Sequence, residues 1–226
     1  MGPPAAAYRP FDQTDADVAA EHEIEIELGP VGIMRDDDGT TFIPGFIFNY
    51  GFVAGFELVL DAHAAFLWGG RDVAARRRQH QTGLSIKHVL RVGSLQGETG
   101  PSIAAEVGAL LPTIPVAGDA GGALTVIVSQ RWRHLTVHVN AEGDVTRAGG
   151  LAFIVGTIVE GPHEWTVRPV VELLTAHETD HTATYSTLVG AIWRASEVIS
   201  PDLAVRAATE AGEPVYELRA GLTWSY

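Results

Sequence analysis

The sequence predicts an all-β chain that closes into an antiparallel up-and-down transmembrane β-barrel of about twelve strands. Three observations predict it. The segment Tyr216–Tyr226 alternates strictly: Tyr216, Leu218, Ala220, Leu222, Trp224 and Tyr226 are apolar or aromatic, and Glu217, Arg219, Gly221, Thr223 and Ser225 between them are charged, small or polar. Side chains on a strand point to opposite faces in turn, so this segment has one apolar and one polar face. The same two-residue period recurs along most of the chain, yet no run of about 18 apolar residues exists that would make a transmembrane helix. The five tryptophans, Trp68, Trp132, Trp165, Trp193 and Trp224, fall near the ends of the alternating segments, where a membrane interface favours indole.

Taken in order, residues 1–20 are rich in Pro, Ala and Asp without a period, and are expected to form a disordered periplasmic leader. The start carries no basic residue before an apolar core, so an exported protein would be present here in its mature form. Residues 21–226 are expected to form the barrel. Ile24, Ile26 and Leu28 alternate with Glu23, Glu25 and Glu27, a pattern that a helix would scatter around its circumference. Asp36–Gly39 is a turn. Thr41–Tyr50 is a strand in which Pro44 removes a ladder hydrogen bond and calls for a bulge. Phe56–His63 and Leu84–Val92 flank the longest polar loop, which contains Arg76, Arg77 and Arg78. Ile103–Leu111, Leu124–Trp132 and Leu135–Ala141 follow, and then Leu151–Val159, whose polar parity of Ala152, Ile154, Gly156 and Ile158 is barely polar. Trp165–Thr175, Tyr185–Arg194, Leu203–Ala207 and Tyr216–Tyr226 complete the set. With both ends on the periplasmic side, the connections near Asp36, Arg76, Pro115, Thr146, Asp180 and Gly212 face outward. Gly93–Gly100 is long for a connection on the opposite side.

The polar parity is expected to line the lumen. Its acids are Glu23, Glu25, Glu27, Glu57, Asp61, Glu106, Glu142, Glu172 and Glu217, with Glu160 and Asp202 on the same parity. Its bases are Lys87, Arg91, Arg131, Arg168, Arg194, Arg206 and Arg219, and it also carries His138. The chain has one lysine, whereas a water-facing surface is usually rich in lysine, and arginine is the usual partner of enclosed carboxylates. The triplet Glu23, Glu25 and Glu27 either lines a cation-favouring pore or pairs with arginines of the last strand such as Arg219, which barrel closure brings alongside.

Composition removes other classes. The formal charge of −13 argues against nucleic acid as a partner. The absence of cysteine excludes disulfides and thiolate metal sites. His177, Glu178, Asp180 and His181 have metal-ligand chemistry but sit in a short loop that seldom makes such ligands converge. His138 and Asn140, with Ser129 on the preceding strand, resemble the catalytic set of the outer-membrane phospholipases, but those face lipid and the parity puts His138 and Asn140 in the lumen. No catalytic residue, metal or cofactor is expected.

Ile24–Gly29, Asn49–Gly51 followed by Phe56–Leu58, Leu111–Pro112, Val137–Asn140 and Gly221–Tyr226 are similar to a family of small Gram-negative outer-membrane barrels labelled as transporters or MetA-type phenol-degradation proteins. The ending also resembles the signature by which the barrel assembly machinery recognises its precursors, carried here by Tyr216, Leu218, Leu222, Trp224 and Tyr226. The resemblance implies an outer-membrane location, contact with lipid and lipopolysaccharide, and passage of small, aromatic or cationic solutes. A barrel that serves as an anchor or partner in an envelope complex, and a soluble barrel with an apolar ligand, are the alternatives.

Overall fold

The computed structural model describes residues 9–36, 39–68, 78–114, 119–179, 183–210 and 212–226. Its strands are β1 (Ile24–Arg35), β2 (Thr40–Phe42), β3 (Gly45–Val53), β4 (Phe56–Trp68), β5 (Arg78–Arg91), β6 (Ser102–Ile114), β7 (Gly121–Arg131), β8 (Thr136–Val145), β9 (Leu151–Glu160), β10 (Val167–Glu178), β11 (Thr184–Trp193), β12 (Ile199–Glu210) and β13 (Glu213–Ser225). Each pairs antiparallel with its neighbours, and β13 returns to pair with β1, so the sheet has no free edge. Closure matters because an open edge would leave backbone groups unbonded in hydrocarbon. The seam ends in reciprocal bonds between Ile24 and Tyr226, N–H to carbonyl at 2.8 and 2.7 Å.

The two segments β2 and β3 are one stave broken at Ile43–Pro44. Both pair with β1 and with β4, so the barrel has twelve staves. The break is where Pro44 lacks the N–H a ladder needs. The interrupted bonds are replaced locally: the Ile43 N–H donates to the Gly32 carbonyl at 2.6 Å and the Ala64 N–H to the Pro44 carbonyl at 3.1 Å. The facing strand β1 slips register between Leu28 and Val31 against β13.

The apolar parity faces out. Leu218, Trp224, Val205 and Leu203 are exposed, while Glu25, Glu27, Glu57 and Glu172 are buried. A soluble ligand-binding barrel would show the reverse. Trp132, Trp165, Trp193 and Trp224 are all exposed at the end that holds the β7–β8 and β9–β10 turns and the last residues of β11 and β13. Phe56 stacks on His88 at that same rim, centroids 3.8 Å apart. Phe153, Tyr185 and Tyr216 are exposed near the opposite rim. Between Tyr185 and Trp193 the strand rises roughly 26 Å at about 3.3 Å per residue, or about 20 Å once tilted by about 40°. That is close to the apolar band of an outer-membrane barrel.

The turn between β5 and β6 holds a short 3-10 helix, Ser94–Gln96, and folds under the mouth of the barrel. Its Leu95 is buried in a cluster with Ala16, Ala104 and Ile127. The length of Gly93–Gly100 therefore has a packing reason. Three predicted connections, near Arg76, Pro115 and Asp180, lie outside the described residues.

Candidate functional site

The interior is filled at its lower half by Arg9–Ala20. These residues were expected to belong to a mobile leader. Instead they run inside the wall, and Gln13, Thr14, Asp15, Ala16 and Ala19 are buried. Composition without a period cannot reveal this, because the partners are side chains distributed around the whole circumference.

The segment is held mainly by wall side chains that bond its backbone. The Ala19 N–H donates to Glu57 at 2.6 Å, and the Ala16 N–H to Ser129 Oγ at 2.9 Å. The N–H groups of Asp12 and Gln13 both donate to Glu172 at 2.9 Å. Asn140 Nδ2 donates to the Thr14 carbonyl at 2.8 Å, and Arg219 Nη1 to the Pro10 carbonyl at 2.9 Å. The Arg9 N–H donates to Glu27 at 2.9 Å. Gln96, from the folded-under turn, donates to the Ala16 carbonyl at 3.1 Å and to Asp17 at 2.9 Å.

Ion pairs add to this. Asp12 lies between Arg206 and Arg219, at 3.1 and 2.7 Å. Arg9 pairs with Asp202 at 3.3 Å, and fully buried Lys87 with Asp15 at 3.5 Å. Burial, and then the negative charge of Asp15, push the Asp17 carboxyl above its usual range. Charges enclosed this way persist only where partners offset the loss of water.

The predicted lumen residues differ in burial. Glu25, Glu27, Glu57, Lys87, His138, Glu172, Arg206 and Glu217 are buried. Asp61, Glu106, Glu142, Arg131, Arg168 and Arg219 are half-buried. Glu23 stands at the rim and accepts from the Ala20 N–H at 2.8 Å. Two differ from expectation. Arg91 is exposed, and its guanidinium bonds the carbonyls of Thr99 and Pro101 in the turn. Arg194 is exposed beyond β11 and bonds the Glu164 carbonyl at 2.9 Å. Both lie at strand ends, where alternation no longer fixes direction. Among the described residues, Arg219 makes its ion pairs with Asp12 and Glu217 rather than with Glu25 or Glu27. Register sets Glu25 opposite Ser225 and Glu27 opposite Thr223, while Arg219 faces Gly32. Ser225 Oγ donates to Glu25 at 2.8 Å, Asn49 Nδ2 to Glu27 at 3.0 Å, and Arg219 turns to Glu217 and Asp12.

Ser129 Oγ lies 2.8 Å from His138 Nδ1, and His138 Nε2 lies 2.9 Å from Glu160, which Arg168 also contacts. The set has the elements of a nucleophile relay. Ser129 is nevertheless fully buried and engaged by Ala16, so the network acts as an anchor for the segment. Among the described residues no group of three or more His, Asp or Glu could hold a metal. His177 and Glu178 end β10, and Asp180 and His181 lie outside the described residues.

Above the segment is a cavity of about 670 Å³. Its floor includes Phe11, Asp12 and Gln13, and its wall includes Asp61, Glu106 and Glu142 on one side and Arg206 and Arg219 on the other. The arginines are neutralised by Asp12, Glu210 and Glu217. Glu106 accepts from the Ser85 hydroxyl, and Glu142 accepts from the Thr125 hydroxyl at 3.2 Å. The cavity's lining holds six acidic residues against three arginines, Arg9, Arg206 and Arg219.

No protein-family model and no curated protein matches the chain. Among solved structures it is similar to the KdgM porin, with 11% identity and a TM-score of 0.61 over 89% of this chain and 99% of that one. It is also similar to the KdgM porin in complex with disordered oligogalacturonate, with 11% identity and a TM-score of 0.58 over 90% and 99%. The shared feature is the fold, a porin-like outer-membrane β-barrel.

Proposed function

We propose that the chain is an outer-membrane channel for small solutes in a Gram-negative bacterium. The observation that carries this reading is a closed barrel with an apolar exterior, a charged interior and a cavity of about 670 Å³ whose lining includes acidic and basic side chains. Lipid and lipopolysaccharide surround the apolar band, and the assembly machinery reads the final strand. The excess of acidic over basic residues in the lining favours entry of cationic or neutral solutes over anions of equal size. Small aromatic solutes, which the likeness to the phenol-degradation family implies, are within the reach of a cavity of this size. Liposome swelling tests the proposal. Neutral and cationic solutes should enter faster than anions in low salt, and the difference should shrink in high salt. Failure of every solute to enter, both through the full chain and through a chain lacking residues 2–20, would refute it. A second reading, a barrel that anchors an envelope complex without transport, is favoured by one observation: Arg9–Ala20 fills the lower lumen.

A further inference from the structure

We propose that Arg9–Ala20 is a gate: a built-in plug that holds the channel shut when seated and opens it when withdrawn. The proposal rests on the channel reading above.

Three observations carry it. First, the segment contributes no strand to the sheet. Its bonds run to side chains of the wall, so it can leave without breaking a single ladder bond of the barrel. Second, the wall is cut to its shape. A Cβ on Gly29 or Gly221 would come within 2.2 or 2.1 Å of the Arg9 guanidinium. One on Gly156 would come within 2.6 Å of Gln13, and one on Gly51 within 2.0 Å of the Ala20 carbonyl. An empty lumen would place no such demand on these positions. Third, the groups that hold the segment, among them Lys87, Glu57, Glu172 and Arg206, are themselves charged. Once the segment leaves they face water and solute, as the lining of a conducting pore must. The seated and withdrawn states thus share one wall and differ only in what occupies it.

The test is planar-bilayer conductance of four proteins: the full chain, a deletion of Gly2–Ala20, the wedge variant Gly156→Leu in the full chain, and a lock. The lock carries Thr14→Cys and Asn140→Cys joined by a reducible bifunctional thiosulfonate, feasible because the chain has no cysteine of its own. Heat-modifiable gel migration checks that each barrel is closed. The full chain should be mostly shut. The deletion and the wedge should raise mean current at least about tenfold, as expected when a seated state loses its hold on the population. The lock should be silent until a reductant is added. Equal currents from the full chain, wedge and reduced and unreduced lock would overturn the gate and leave the channel standing. If the deletion fails to fold, the wedge and lock decide in the same way. Silence of every closed barrel, the deletion included, would overturn both.

Discussion

Lys87, the one lysine of the chain, is fully enclosed, with Asp15 and Thr14 of the plug within reach of its ammonium. Replacing it with alanine strands buried carboxylates, and breaking such a pair by removing one partner costs about 3–5 kcal/mol. Lys87→Ala should therefore unfold at markedly lower urea from detergent or lipid. The control Arg35→Ala, at an exposed strand end, should change little. Asp17 gives a pH signature. Its carboxyl is raised by burial and then by Asp15, so the folded state binds the proton more tightly than the unfolded chain does. Its contribution favours folding at low pH and is lost as pH climbs from about 4, the ordinary carboxylate range, through the raised value. Asp17→Asn should remove that slope, which the difference in urea midpoints between the two proteins across pH will show. At this scale the sequence was informative where alternation is unbroken. It placed Glu57, Glu172 and Arg206 inside, but it could not distinguish residues facing water from residues facing another piece of chain. The barely polar parity of Leu151–Val159 is a case: Gly156 and Ile158 are buried in the plugged part of the lumen.

At the scale of elements, the strands were legible because a period of two survives wherever one face is apolar. Pro44 marked its own interruption. The turn Gly93–Gly100 was visible only as an anomaly of length, since its function depends on contact with residues far away in sequence. Gln96 is its working residue, with bonds to Ala16 and Asp17. Gln96→Ala should leave the barrel intact but loosen the plug. Faster hydrogen exchange at the Ala16 amide, with unchanged exchange in β7 and β8, is the expected pattern. Gly97, at φ +83° with open space around it, offers a contrast. A β-branched residue there strains the turn by about 1–2 kcal/mol through the left-handed backbone alone, and Gly97→Val should loosen the same contact by another route.

For the whole molecule, the decisive contrast is between its two faces. Val205 is exposed midway along β12, and Thr209 is exposed nearer the rim. Val205→Arg should destabilise the lipid-embedded barrel by about 2–4 kcal/mol and Thr209→Arg by about 1 kcal/mol or less, because the cost of a lipid-facing charge depends on depth. Equal costs, measured by urea unfolding in bilayers, would mean that this face does not meet hydrocarbon. Barrel closure itself carries a mechanical consequence for the plug. A wall joined along every seam, including the one between Ile24 and Tyr226, offers no sideways exit. The cork can travel only along the bore, towards a mouth. Whatever draws it must pull lengthwise from one rim, and the force needed will depend on the direction of the pull.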